Sequence, residues 1–247
     1  MLDKNSALEI QALRAGGKIL HEILYKVAAE VQPGVCGLDL NKSAEELIAQ
    51  AGAKPSFKNY RGFPHALCVS VNQTVVHGIP NKKPLQAGDI VGLDLGLKYR
   101  GLYTDMALTV AVGKISKSAS QLLAITEKSL AIAISQVAPG KGIEEIGKAI
   151  AKYIKPYGYG IVQDLAGHGV GRAVHEDPLV PNYDSGQKLA KMFPGLVLAI
   201  EPMIIMGGDH KVETADNGWD VNSQDASLTA HFEHTVVVTD DGVEILT

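Results

Sequence analysis

Four carboxylates in this 247-residue chain stand where carboxylates are costly. Asp94 lies in DIVGLDLGL, Asp105 in GLYTDMALTVAV, Glu201 in LVLAIEPMII and Glu233 in EHTVVV, each inside a run that otherwise reads as a buried strand. Buried carboxylates are rare unless paired or bound to a metal. Two of them share one segment, DLGLKYRGLYTD. Read as a tight hairpin closed by Tyr99-Arg100, it sets Asp94 directly opposite Asp105 with Cβ atoms about 4.5–5.5 Å apart. Tyr-Arg is not a favoured turn pair and Gly101 suits a bulge, so a register one residue off is the alternative, and it leaves the aspartates neighbours. Like charges this close repel, and a divalent cation between them removes the conflict. Taken alone, the hairpin is equally well read as carrying one or both aspartates on the surface of an edge strand. The two embedded glutamates shift that balance toward a metal.

Histidines add nitrogen to the set. The stretch AGHGVGRAVHEDP, residues 166 to 178, holds His168 and His175 among glycines 167, 169 and 171. Alternating glycines oppose a helix at roughly 1 kcal/mol each, and a flat strand would send residues seven apart to opposite faces. The expectation is an irregular or bulged extended run in which something closely approaches the backbone. His77, which ends a strand in VNQTVVHGIP, is either structural or turned toward the same cleft. His21, His65, His210, His231 and His234 show no such pattern and read as surface or supporting residues. Four carboxylates with imidazole suit a pair of divalent ions, Mn, Co, Fe or Zn, bridged by shared carboxylates and able to activate a water.

The elements that must position these groups follow from periodicity. Residues 6–31 and 39–52 read as helices, the second opening on Asp39 as N-cap; residues from Ala66 to Val112 read as antiparallel strands. The order then recurs, with helices over 117–137 and 142–155 followed by LVLAIEPMII and EHTVVVTDDGVEIL. VQPGVCGLDL at 31–40 also aligns with VAPGKGIEEI at 137–146. The expected architecture is α+β: one domain, 1–247, of two related halves, about 1–115 and 116–247, sharing one sheet. A site between such halves draws residues from both.

Composition bounds the partners. At 46 % apolar and a net charge of -4, the chain shows no electrostatic footprint for nucleic acid. Its start lacks the apolar core of a signal peptide and no stretch reaches the ~18 apolar residues of a membrane span, so the expected location is the cytoplasm, with no membrane partner. Cys36 and Cys68 have no CxxC spacing and read as core or pocket-wall residues.

In VSVNQTVVHGIP, DIVGLDLGLKYRGLYTD, GHGVGRAVHEDP, LAIEPM and GWDVNSQDASLTAHFEHTVVVT, in this order and spacing, the chain resembles the type I methionine aminopeptidases over nearly its whole length. The resemblance implies the pita-bread fold, a curved antiparallel sheet with outer helices in two pseudo-symmetric halves. It implies that Asp94, Asp105, His168, Glu201 and Glu233 bind two divalent ions, with Asp105 and Glu233 bridging. It makes His77, His175 and Glu201 catalytic: His175 at the scissile carbonyl, His77 near the amide, and Glu201 shuttling protons for a water shared by the ions. Phe57, Tyr60, Phe63, Cys68 and Trp219 would form the methionine pocket, whose aromatic walls suit a thioether. The implied substrates are N-terminal methionine peptides and nascent polypeptides with a small second residue, the ribosome is a candidate partner, and the family precedent is a monomer. By the same preference the protein's own Met1, followed by Leu2, would be retained.

Three positions depart from the family pattern. Thr104 stands where glycine is common, and Phe57 and Arg61 replace residues expected to differ in size or charge; these bear on substrate preference rather than on metal binding. The interval from His175 to Glu201 lacks the type II insertion, and no N-terminal zinc-binding extension is present, as expected of a minimal type I chain. Two alternatives share the fold. X-Pro aminopeptidases and dipeptidases usually carry a further N-terminal domain, for which the stretch before Asp94 is too short. A non-catalytic peptide-binding module would typically have lost ligands that are all present here.

Overall fold

The computed structural model describes residues 5–247, and Met1 and Leu2 therefore lie outside it. Among the described residues, four α-helices, α1 (Ala7–Ala29), α2 (Gly37–Gln50), α3 (Lys117–Ile134) and α4 (Glu144–Ile154), accompany fifteen strands. The first five strands are β1 (Lys54–Pro55), β2 (Leu67–Val71), β3 (Thr74–Val76), β4 (Ile90–Tyr99) and β5 (Leu102–Ala111). Next come β6 (Gly160–Ile161), β7 (Ala166–Gly169), β8 (Glu176–Pro181), β9 (Val197–Ile200) and β10 (Met203–Ile205). The chain closes with β11 (Val212–Thr214), β12 (Val221–Ser223), β13 (Thr229–His231), β14 (Glu233–Val238) and β15 (Val243–Ile245). Among the described residues, no helix is long and apolar enough to cross a membrane.

Local chemistry starts the helices. Ser6 caps α1 by accepting the Glu9 N–H while Glu9 accepts the Ser6 N–H, a reciprocal pair that satisfies two otherwise orphaned donors. At α2 the expectation of Asp39 as N-cap is corrected by one turn. Cys36 is the N-cap, and Asp39 sits at the third helical position, where its carboxylate accepts both the Cys36 N–H and the Cys36 thiol. An acid near a helix start serves either position, since both face the unpaired N–H groups.

The main sheet runs β1-β4-β5-β14-β9-β7-β8, with β2 also on β4 and β15 on β14, every pair antiparallel. Alternation along the strands divides its faces. Val91, Leu93, Leu95, Leu97, Met106 and Leu108 pack with Leu20, Leu24, Leu40 and Ile48 of α1 and α2. Leu198, Ile200, Val236 and Val238 pack with the apolar stripe of α3 and α4, including Leu122, Ile146 and Ile150. Asp94, Asp105 and Glu233, each one residue out of phase with these, project from the other face.

The hairpin takes the alternative register, one residue off the preferred Tyr99-Arg100 turn. Tyr99 pairs with Leu102, so the turn is Arg100-Gly101; Asp105 lies opposite Gly96, and Asp94 opposite Ala107. Both turn residues have positive φ, 50° and 89°, the combination that matches a two-residue turn to the strand twist. Asp94 and Asp105 are therefore diagonal neighbours on one face rather than a direct pair. The helix-flanking loops also repeat a motif: Gly34 N–H donates to Leu85 and Leu85 N–H to Val35, while Gly140 N–H donates to Met192 and Met192 N–H to Lys141.

Candidate metal centre and substrate pocket

The glycine-rich run is a bulged strand. Gly167 pairs with Val180 and Gly169 with Glu176, so the register slips around His168. Neighbouring backbone is what approaches these glycines: a side chain at Gly167 would overlap the Ala199 carbonyl oxygen, and one at Gly169 the Asp177 carbonyl oxygen. The bulge leaves His168 buried with Nδ1 2.9 Å from the Gly169 carbonyl. A carbonyl oxygen can only accept, so Nδ1 donates there and the other ring nitrogen, Nε2, is directed inward, 3.6 Å from Glu201 Oε1.

Around that nitrogen the carboxylates gather. Asp105, His168 and Glu233 each present a donor atom within 4.8 Å of the others, and Glu201, His231 and Glu233 form a second such trio. Glu233 belongs to both. Asp94 is in neither trio but shares a hydrogen bond with Asp105. Burial, reinforced by the neighbouring negative charges, lifts Asp105 to about 7 and pushes Asp94 and Glu233 well above the carboxylate range. Burial lifts Glu201 to about 7 as well. Asp94 Oδ1, Glu233 Oε1 and His231 Nε2 are buried without any hydrogen-bond partner. Packed acids with orphaned oxygens and an inward imidazole nitrogen fit divalent cations, whose charge stabilises the ionised ligands.

His231, read from the sequence only as a surface or supporting residue, is not at the surface but at the site. It is buried, with Nε2 3.4 Å from Glu201 Oε2 and 3.9 Å from Glu233 Oε2. Thr109 of β5 holds its backbone, accepting the His231 N–H at 3.0 Å and donating to its carbonyl at 2.8 Å. Local spacing gave no signal for it, because His231 ends β13 and Glu233 begins β14, strands of different sheets.

The other two selected histidines lie along the same cavity, of about 360 Å³. His175 Nδ1 is 3.1 Å from the Tyr60 hydroxyl, its ring is stacked on Tyr60, and it stands 4.3 Å from the His168 ring. His77 sits in a left-handed backbone conformation, φ 59°, at the strand end that turns it inward. Burial holds His77 down to about 4 and His175 to about 3, the latter helped by neighbouring His168, so both are neutral at pH 7.

Beside the acids the cavity is apolar. Phe57, Phe63 and Cys68 are buried and pack with Tyr60 and Trp219, the Phe63 and Trp219 rings meeting edge to face at 5.1 Å. All five line the cavity. Cys68 pairs with Asp94 across β2 and β4 and bonds its carboxylate, while burial pushes the Cys68 thiol up. Thr104 points away, its hydroxyl beside Gly16 of α1, and Arg61 stands exposed at the rim.

Comparison with known proteins gives three findings. Residues 11–240 match the model of metallopeptidase family M24. The methionine aminopeptidase of Clostridium perfringens is 44% identical over 97% of this chain and 96% of its own. The crystal structure of methionine aminopeptidase from Rickettsia prowazekii superposes with a TM-score of 0.97 at 36% identity, covering 100% of both chains. A prolidase from Pyrococcus furiosus, at 24% identity over 65% of its length and a TM-score of 0.80, shares the fold.

Proposed function

Since the chain belongs to metallopeptidase family M24 and, within it, to the methionine aminopeptidases, we propose that it removes the N-terminal methionine from peptides with a small second residue, through the residue roles set out below. The observation that carries the roles is one cavity in which buried acids and neutral histidines adjoin an aromatic pocket that suits a thioether. Asp94, Asp105, His168, Glu201 and Glu233 would hold two divalent ions, with Asp105 and Glu233 shared. Two Co, Mn, Fe or Zn ions held there supply a lowered pKa for water and offset charge on the peptide carbonyl.

This chain's own groups do the rest. Glu201, buried at the site beside His168 and His231, is placed to accept a proton from water and return it to the leaving amine. His175 is neutral, so when Nδ1 accepts the Tyr60 hydroxyl proton, Nε2 carries a hydrogen to donate to the carbonyl oxygen as charge develops there. His77, also neutral, faces the amide without adding charge. Phe57, Tyr60, Phe63, Cys68 and Trp219 enclose the methionine side chain and keep water from it. In the full reading the protein is a cytoplasmic monomer meeting nascent polypeptides at the ribosome. The matching bonds around Gly34 and Gly140 support a site set between two related halves, about 1–115 and 116–247.

The test is metal-stripped protein reloaded with Mn, Co, Fe or Zn against Met-Ala-Ser and Ala-Pro-Ser. Metal-dependent release of methionine that is lost in Glu201→Ala supports the reading. Cleavage before proline alone would move the chain to the X-Pro branch, and metal binding with no cleavage would make it a peptide-binding module.

A further inference from the structure

Arg61 is the one lysine or arginine among the described residues lining the cavity. It lies on a tight turn closed by Asn59 N–H to the Phe63 carbonyl, at 2.7 Å, and Phe63 N–H to the Tyr60 carbonyl, at 2.9 Å. Asn59 and Arg61 both take left-handed backbone, φ 68° and 50°, a conformation common for asparagine but uncommon for arginine. The turn packs Phe63 and Tyr60 into the pocket and leaves Arg61 exposed at the rim. Its guanidinium lies 5.4 Å over the Tyr60 ring, and no described carboxylate forms an ion pair with it.

A chain of rings gives the guanidinium its distance from the chemistry. Glu201 is 3.6 Å from His168, whose ring is 4.3 Å from His175; the His175 ring is 5.4 Å from Tyr60, and Tyr60 is 5.4 Å from Arg61. Beyond the scissile carbonyl at His175, then, Arg61 lies two ring steps out. An extended peptide advances ~3.3 Å per residue, so one running along this ladder comes within reach of the guanidinium by about three residues past the cut bond. From this geometry, and resting on the methionine-removal reading, we infer that Arg61 determines downstream specificity by pairing with a carboxylate two or three residues beyond the scissile bond. The carboxylate is an acidic side chain or the free terminus of a short peptide. Asp164, the other charged residue toward the rim, is not part of this ladder and offers nothing to an acid.

The experiment uses metal-loaded protein and amidated peptides, Met-Ala-Asp-Gly-Ser and Met-Ala-Gly-Asp-Ser, each against its Asn and Lys counterparts; Met-Ala-Gly-Ser as free acid and amide tests the chain terminus. An exposed ion pair corresponds to about a two- to fivefold change. The expected result is that advantage in kcat/KM for Asp over Asn, seen in KM, weakened by about 0.5 M salt, lost in Arg61→Gln and partly kept in Arg61→Lys. An advantage confined to the free acid would assign the carboxylate to the chain terminus. An Asp-to-Asn ratio near one with no advantage for the free acid either, an advantage unchanged in Arg61→Gln, or a preference for Lys overturns the inference. Failure of the parent protein to release methionine from the Asn peptides would instead overturn the methionine-removal reading on which it rests.

Discussion

His231 Nε2 stands 3.4 Å from Glu201 Oε2, so an imidazole from β13 faces the carboxylate assigned here to proton transfer. Burial holds that imidazole down to about 4, so it is neutral and has one ring proton to place. Its Nε2 has no hydrogen-bond partner. Groups that orient metal ligands typically contribute about 10- to 100-fold in affinity or activity. His231→Ala is expected to lose that much metal affinity or kcat while methionine-peptide KM changes little. Titration of metal-free variant and parent, followed by steady-state kinetics at saturating metal, separates the two effects.

The acids set the pH dependence of metal binding. In the metal-free protein Asp105 and Glu201 titrate at about 7, and Asp94 and Glu233 higher than ordinary carboxylates, chiefly because burial disfavours their charge. Cation binding requires the ionised forms, so below pH 7 it must expel protons. Affinity should therefore rise with pH, about tenfold per pH unit for each proton released, and level off once the acids have ionised. Calorimetry at about pH 6 in two buffers of different ionisation enthalpy should show at least one proton released per ion. Identical heats in both buffers would show that the acids are already ionised.

The strands and the four acids were legible because a carboxylate in an apolar alternating run is conspicuous, and the bulge at His168 because three alternating glycines fit no regular element. The hairpin register was legible only as an alternative: the structure takes the one a residue off the preferred turn, with the aspartates still neighbours. It rests on Arg100 entering left-handed backbone beside Gly101, a choice that residue type alone does not announce. His231 was illegible for another reason: its place depends on β13 pairing with β10, which sets His231 opposite Met203, two residues beyond Glu201. Non-local pairing of this kind leaves no periodic mark. Asp39 was assigned to the right helix end and the wrong turn position, since carboxylates serve both.

Gly96 lies opposite Asp105, and a side chain there would overlap the Ser56 hydroxyl and the Phe57 ring. Gly96→Ala should therefore push Phe57 into the methionine pocket. Overpacking of this kind costs about 1–3 kcal/mol. The expected signature is a higher KM for methionine peptides with metal affinity nearly intact, together with a lower denaturation midpoint. A variant with parent-like KM would show that Phe57 does not shape the pocket.

Thr235 continues the β5–β14 ladder with its side chain. Main-chain pairing runs through Glu233 with Ala107 and His234 with Met106; at the next position the Thr235 hydroxyl accepts the Asp105 N–H at 2.9 Å and donates to the Asp105 carbonyl at 2.7 Å. One hydroxyl thus satisfies both backbone groups of a candidate metal ligand, deep in the sheet. Thr235→Val keeps the shape and removes both bonds, leaving a buried donor and acceptor unpaired at a cost of about 1–3 kcal/mol. Thr235→Ser keeps the hydroxyl and should retain most of that stability. Because Asp105 would also lose its fixed backbone, Thr235→Val should bind metal more weakly than Thr235→Ser in the same titration. Equal affinities would mean that the rest of β5 suffices to hold Asp105, and that the hydroxyl serves stability alone.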